Sequence, residues 1–245
     1  MYDGGFAYFY DLLMKDTDYD AIAARYIELA QRCGVKSGRA ADLGCGTGEL
    51  SRRLAAAGYD TIGVDISEEM LSIASCKACC ESSVQYIHQD MTKLDLGGEA
   101  DLLVSSLDCF CHLRGEKQVR EAFARAFENL RSGGVFIFDM NTVYKHSEVL
   151  ADNAFVFENE EVFCVWQNFY SGGGRVEIAL DMFAYGEDGR YDRYCEDFEE
   201  YAYPLANVEK WLKETGFEVA GVFDGLTEEA ATEQCERALF LAIKQ

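Results

Sequence analysis

Residues 40–50 read AADLGCGTGEL, with Asp42 followed by glycine at every second position, Gly44, Gly46 and Gly48. Glycine lacks Cβ, so such a loop admits positive φ and lets a ligand lie directly against the main chain. Loops of this kind hold nucleotides, and the spacing discriminates among them. A triphosphate loop needs G-x-x-x-x-G-K-[ST], and no lysine follows Gly48. A dinucleotide fingerprint, G-x-G-x-x-G, would require glycine at 49, where Glu49 stands. A carboxylate at the loop mouth is a poor neighbour for pyrophosphate and a tolerable one for a ligand carrying positive charge. Two more aspartates end short apolar runs, Asp65 in GVDIS and Asp90 in QDM. Taken alone, Asp65 reads equally as a carboxylate favoured at the start of a helix, since SEEM follows it.

The surrounding periodicity says what positions these groups. Residues 19–33 space Tyr19, Ile22, Ala23, Tyr26, Ile27 and Ala30 as an amphipathic helix. Short apolar runs then alternate with helical segments: strands at 39–43, TIGVD, VQYIHQ, DLLVSS and VFIFDM, helices over 49–57, from the N-cap Ser67, and over 116–130. Repeated β-α units favour a parallel sheet covered on both faces, with the glycine loop at its carboxyl edge, where open α/β sheets bind ligands. After Asp139 the texture changes. Residues 155–203 are aromatic and β-branched with glycine turns at 171–174 and 187–189, and RVEIALDMFAY sends Val176, Ile178, Leu180 and Met182 to one face. This predicts a three-stranded antiparallel meander, after which a helix over 206–215 and strands at FEVAGVF and RALFLAIK resume the α/β pattern. The division expected is 1–150 with 204–245 as the ligand-binding domain and 151–203 as an inserted cap that selects substrate.

Composition narrows the partners. With 44 acidic against 22 basic residues the net charge is −22, which repels phosphate backbones and anionic membranes. No stretch reaches the length of a membrane span, the amino-terminal segment has no uninterrupted apolar run, and ten cysteines suit a reducing compartment, so a cytoplasmic location is expected. A zinc reading of Cys76, Cys79 and Cys80 with Cys109, Cys111 and His112 lacks the two tight pairs of a structural site, and no metal is expected.

Three motifs at three successive strand ends carry a resemblance. DLGCGTG resembles the first motif of class I S-adenosylmethionine-dependent methyltransferases of the small-molecule type, with the likeness strong over 36–141 and weaker over the last helix and two strands. The resemblance implies a Rossmann-like, doubly wound, mostly parallel seven-stranded sheet. It implies that Asp42 and Gly44 help hold the methionine moiety of S-adenosyl-L-methionine, with Cys45, Gly46 and Gly48 of the same loop also binding the cofactor, that Asp65, followed by Ile66, accepts the ribose hydroxyls, and that Asp90 binds the adenine amino group beside Met91. Ser106, Leu107 and Asp108 would line the other side of the methionine moiety, and FAYFYDLLM looks like a segment in which Tyr10 closes over the cofactor. The function implied is in-line methyl transfer to a nitrogen or oxygen of a small-molecule acceptor. The alternative is a non-catalytic regulatory protein that binds the same cofactor. No residue is fixed as a general base: His112 reads as structural, and Trp166, Tyr170, Tyr194, Tyr201 and Tyr203 line a substrate cavity or are ordinary core aromatics.

Overall fold

A strand covered by helices on both faces must send apolar side chains both ways. The computed structural model describes residues 4–78, 84–186 and 189–245 and meets this requirement with unbroken buried runs at 40–43, 102–105 and 134–141. Helices α1 (Gly4–Leu13) and α2 (Tyr19–Arg32) precede β1 (Gly38–Leu43), α3 (Glu49–Ala56), β2 (Tyr59–Asp65), α4 (Glu68–Ala78), β3 (Gln85–His88), β4 (Ala100–Ser105), α5 (Gly115–Asn129) and β5 (Leu130–Asn141). A π-helical turn, Lys145–Leu150, leads to β6 (Ala154–Glu158), β7 (Val162–Gly172), β8 (Arg175–Tyr185) and β9 (Tyr191–Tyr201). The chain then closes with α6 (Leu205–Thr215), β10 (Phe217–Asp224) and β11 (Arg237–Lys244).

The large sheet has the order β10-β11-β5-β4-β1-β2-β3, and β11 runs antiparallel to both of its neighbours. From β1 the chain winds outward to β2 and β3, then returns to lay β4 on the other side of β1. The reversal opens a crevice at the carboxyl ends of β1 and β4, where doubly wound sheets take their ligands. Ala41, Leu103, Phe136, Phe138 and Phe240 pack under α5 and α6, while Ala40, Leu102, Val104, Ile137 and Leu239 pack under α2 and α3. Ser67 caps α4 as its position predicts, its Oγ accepting from Met70 N at 3.2 Å.

The meander has four strands rather than the three expected, ordered β6-β7-β8-β9. The strand missed is the edge strand β6, whose side chains are mostly exposed, so AFVFE carries no alternation to read. On β8 the alternation holds, with Val176, Ile178, Leu180 and Met182 all buried. They pack against α1, a helix that the sequence pattern leaves unassigned. Phe6 and Phe9 of α1 lie in one apolar cluster with those four residues and with Met70 of α4, so α1 is held between the two sheets' elements.

Candidate functional site

All three loop glycines adopt left-handed φ: 73° at Gly44, 51° at Gly46 and 81° at Gly48. They are not equivalent. A Cβ at Gly44 would sit 2.5 Å from Cys109 Sγ, and one at Gly48 would sit on the Tyr86 ring hydroxyl, so those positions are filled by the protein itself. At Gly46 the nearest heavy atom is Tyr10 Cε1 at 4.0 Å. This is the cradle that a side chain would fill. The loop is fixed to β2 by Gly44 N and Cys45 N, which both donate to Val64 O (2.8 and 3.0 Å), and to α1 by Thr47 Oγ1 donating to Asp11 Oδ1 at 2.6 Å. Asp11 and Thr47 escape sequence reading because nothing local pairs them.

Asp42 points away from the loop's open side. It lies on the Ala40 face of β1, buried, and accepts from Ser51 Oγ at 2.6 Å, which ties α3 to the strand. Burial pushes its carboxyl up to about 7, against the opposing Ser51 bonds. Since the folded value lies above the ordinary one, the native state holds a proton that the unfolded chain releases. This stabilisation is complete below about pH 4 and lost as pH rises toward 7, and a shift of about three units corresponds to about 4 kcal/mol. Asp42→Asn, neutral at every pH, should therefore gain stability relative to the wild type as pH rises from 4 to 7.5. Paired melts across that range check this, and a constant difference between the two proteins would refute it.

Asp65, at the end of β2, accepts from Gly46 N (2.8 Å) through Oδ2 and from Ser67 N (2.9 Å) through Oδ1. Burial raises its carboxyl above the ordinary range although these N–H bonds oppose the shift. One residue thus braces the glycine cradle and presents its remaining lone pairs beside it. Ile66 follows with half its surface exposed, and its carbonyl is bonded to the His88 ring at 2.9 Å. Asp90 caps the 3-10 turn Met91–Lys93 by accepting from Thr92 N and Thr92 Oγ1 (2.9 and 2.7 Å). Burial would raise this carboxyl, but the Thr92 bonds outweigh it and hold it below its ordinary value. Met91 Cε comes within 3.6 Å of the Gly44 Cβ position, so the strand-3 turn and the glycine loop share a wall.

After β4, Leu107 and Asp108 both take left-handed φ, 57° and 56°, an arrangement that costs non-glycine residues about 1–2 kcal/mol each and must be imposed. Asp139 of β5 imposes it by accepting from Leu107 N (3.0 Å) and Asp108 N (2.7 Å). Arg237 of β11 donates to Asp108 and Asp139 (2.7 and 2.5 Å), Asn141 Nδ2 donates to Asp108 Oδ2 (2.6 Å), and Tyr26 OH donates to Asp139 (2.9 Å). Burial would raise the Asp108 carboxyl, but the Arg237 charge outweighs it and keeps the group below its usual range. Ser106 O and Gly44 O both accept from Cys109 Sγ (3.1 and 3.3 Å), closing the crevice floor between β1 and β4.

Tyr10, Asp65 and Met91 thus lie against the glycine loop, Leu107 is held on Asp139 in the turn after β4, and Asp42 is buried behind the loop. Cys45 is buried, and its Sγ lies 3.0 Å from the Gly63 Cβ position. His112 ends the turn Cys109–His112 and faces the Phe198 ring of β9 at 5.3 Å. Among the aromatics, Trp166 donates to Asn168 Oδ1 (2.7 Å), Tyr194 packs on Phe9 (5.1 Å), Tyr170 accepts from Gly174 N (3.3 Å) and Tyr201 donates to Glu199 (2.6 Å), while Tyr203 packs on Trp211 (5.1 Å). Cys79 and Cys80 lie outside the described residues, and no group of three potential metal ligands occurs among those described. No helix there is long and apolar enough to cross a membrane.

A family model described as "Methyltransferase domain" matches residues 40–134. A curated relative from Geobacillus sp. (strain WCH70), named "Putative methyltransferase", is 36% identical over 244 residues, which is 98% of each chain. The crystal structure of a S-adenosylmethionine-dependent methyltransferase from Clostridium acetobutylicum ATCC 824 matches with a TM-score of 0.89 at 32% identity, covering 98% of both chains. This chain belongs to the S-adenosylmethionine-dependent methyltransferases. A more distant relative, the dTDP-3-amino-3,6-dideoxy-alpha-D-glucopyranose N,N-dimethyltransferase of Streptomyces fradiae, is 29% identical over 140 residues, 56% of this chain and 54% of that one. The methyltransferase thus has S-adenosyl-L-methionine as its cofactor and the doubly wound sheet as its frame.

Proposed function

We propose that the methyltransferase moves a methyl group to a nitrogen or oxygen of a small molecule seated between the strand ends of the large sheet and the inner face of the four-stranded sheet. The observation that carries this reading is the position of α1. Its Asp11 is bonded to the glycine loop through Thr47, and its Phe6 and Phe9 pack on the inner face of β7–β9, so the cradle and the cap share one wall. The cradle fits the cofactor: space at Gly46 for the methionine side, Asp65 for the ribose hydroxyls, Asp90, Met91 and exposed Ile66 for the adenine, and Ser106 with Leu107 on the far side. When bound, S-adenosyl-L-methionine supplies an electrophilic methyl group on a good leaving group. The chain's own residues then have to hold the acceptor in line and exclude water, and alignment alone supplies up to about 7–11 kcal/mol.

We read residues 1–150 and 204–245 as the cofactor-binding domain and 151–203 as the acceptor-binding cap. The Streptomyces relative is named for an amino sugar, which supports a small acceptor, and the net charge of −22 favours a neutral or cationic one over a polyanion. Free thiols at all eight described cysteines suit the cytoplasm, where we place the protein. A screen of small amines and alcohols with S-adenosyl-L-methionine, scored by the mass of S-adenosylhomocysteine, tests the function. Product with an acceptor supports it, and none with any acceptor while the cofactor binds would leave a binding protein.

Asp65→Ala should weaken S-adenosylhomocysteine binding about 10- to 150-fold, the equivalent of about 1.5–3 kcal/mol for bonds to a charged group. The loop anchor at Gly46 N is lost with it. Unchanged affinity in a calorimetric titration would remove Asp65 from the site.

A further inference from the structure

At the seam between the two sheets, Asn141 at the end of β5 lies between two carboxylates. Its Nδ2 donates to Asp108 Oδ2 at 2.6 Å and to Glu200 Oε2 of β9 at 3.1 Å. Asn141 is 3% exposed, Glu200 5% and His146 0%, so all three are out of bulk water. His146 places Nδ1 2.7 Å from Gly174 O, and since a carbonyl only accepts, Nδ1 carries a proton. Its Nε2 then faces Glu200 Oε2 at 3.3 Å, and neither Nε2 nor Asn141 Oδ1 has a hydrogen-bond partner. Two buried acceptors, His146 Nε2 and Asn141 Oδ1, thus flank the Glu200 carboxylate with nothing donated to them, an arrangement that buried polar groups rarely keep.

We propose that Glu200, Asn141 and His146 form the seat of the acceptor's nucleophile, and that this nucleophile is an amine. The inference rests on the acceptor lying at this seam. A primary ammonium carries a hydrogen for each of these two acceptors and one more for the Glu200 carboxylate, whereas a hydroxyl has one. Before transfer the ammonium gives one proton to Glu200: the N–H bond breaks, an O–H bond forms, and the electron pair stays on nitrogen. That lone pair takes the methyl group supplied by the cofactor, the new N–C bond forming as the C–S bond breaks with its electrons left on sulfur. The product is a methylammonium. The proton on Glu200 passes to Nε2 of His146, which leaves the carboxylate paired with an imidazolium until both are discharged to solvent. Asn141 and His146 also hold Glu200 against Asp108, so the acceptor's nitrogen is aimed at the Leu107–Asp108 turn.

The full-length wild type, Glu200→Gln and Glu200→Asp are compared by three readouts: titration with S-adenosylhomocysteine, turnover of small primary amines and of alcohols with the same carbon skeletons, and titration of the most active amine into protein loaded with S-adenosylhomocysteine. Amines should turn over and the matched alcohols should not. Glu200→Gln should keep S-adenosylhomocysteine affinity within about twofold, bind the amine at least about tenfold more weakly and lose about 10²-fold or more in kcat/KM, as for removal of a general base. Glu200→Asp should recover part of the loss, and should a Gln variant fail to fold, it gives the same readouts with the carboxylate withdrawn by one methylene. Wild-type turnover confined to alcohols, or full activity in Glu200→Gln, overturns the amine seat while leaving the methyltransferase reading intact. Lost S-adenosylhomocysteine affinity in both variants would make Glu200 a cofactor contact and equally overturn it. No turnover of either class by wild type that binds S-adenosylhomocysteine fells the broader reading, and this one with it.

Discussion

Gly46→Val should reduce S-adenosylhomocysteine affinity by on the order of 100-fold or more while circular dichroism and the melting transition stay close to those of the wild type. The selectivity comes from the difference among the three loop glycines. At Gly44 and Gly48 an added side chain collides with Cys109 or Tyr86, so substitution there disturbs packing before it disturbs binding. At Gly46 the protein leaves room, with only Tyr10 at 4.0 Å, and a branched side chain enters space that the cofactor claims. The φ of 51° adds about 1–2 kcal/mol of strain to a β-branched residue, and the Gly46 N–H bond to Asp65 shifts with it. Calorimetry with S-adenosylhomocysteine reads the outcome, and near-wild-type affinity would mean that the ligand does not lie on this loop.

The second large effect is expected on replacing the cap, residues 151–203, with a Gly/Ser connection. Methyl transfer should fall by about 10³-fold or more, since the acceptor is neither oriented nor shielded from water. Cofactor binding should survive but weaken about tenfold, because α1 loses one of its two packing faces. Phe6 and Phe9 bury against Val176, Ile178, Leu180 and Met182, and without them Tyr10 and Asp11 are held on the glycine loop less firmly. A transfer assay and a titration on the same preparation separate the two functions. Undiminished turnover would place the acceptor elsewhere on the molecule.

What could be read from the residues is what local chemistry imposes. Glycine at alternate positions after an apolar strand, and aspartates ending the next two strands, are visible because each signal spans a few residues. The parallel sheet was legible for the same reason, since β1, β4 and β5 are apolar to both sides. The inward turn of Asp42 was not, because it depends on Ser51 arriving from α3. Nor was the seam of Asp108, Asn141, His146 and Glu200. Its partners are 33 and 59 residues apart in sequence and meet only when β9 of one sheet is laid over the end of β5 in the other. The edge strand β6 and the helix α1 escaped because neither AFVFE nor GGFAYFYDLL shows a clean period: one strand is exposed on both sides, and the helix is apolar on nearly all of its length.

In the proposed function the cofactor lies in the crevice between β1 and β4. The most direct measurement is a backbone amide spectrum of the labelled protein titrated with S-adenosylhomocysteine. The largest shifts should fall on Gly44, Gly46, Gly48, Asp65, Ile66, Met91 and Leu107, with the outer face of the four-stranded sheet unmoved. Saturable shifts confined to other elements, with the glycine loop and Asp65 silent, would contradict it.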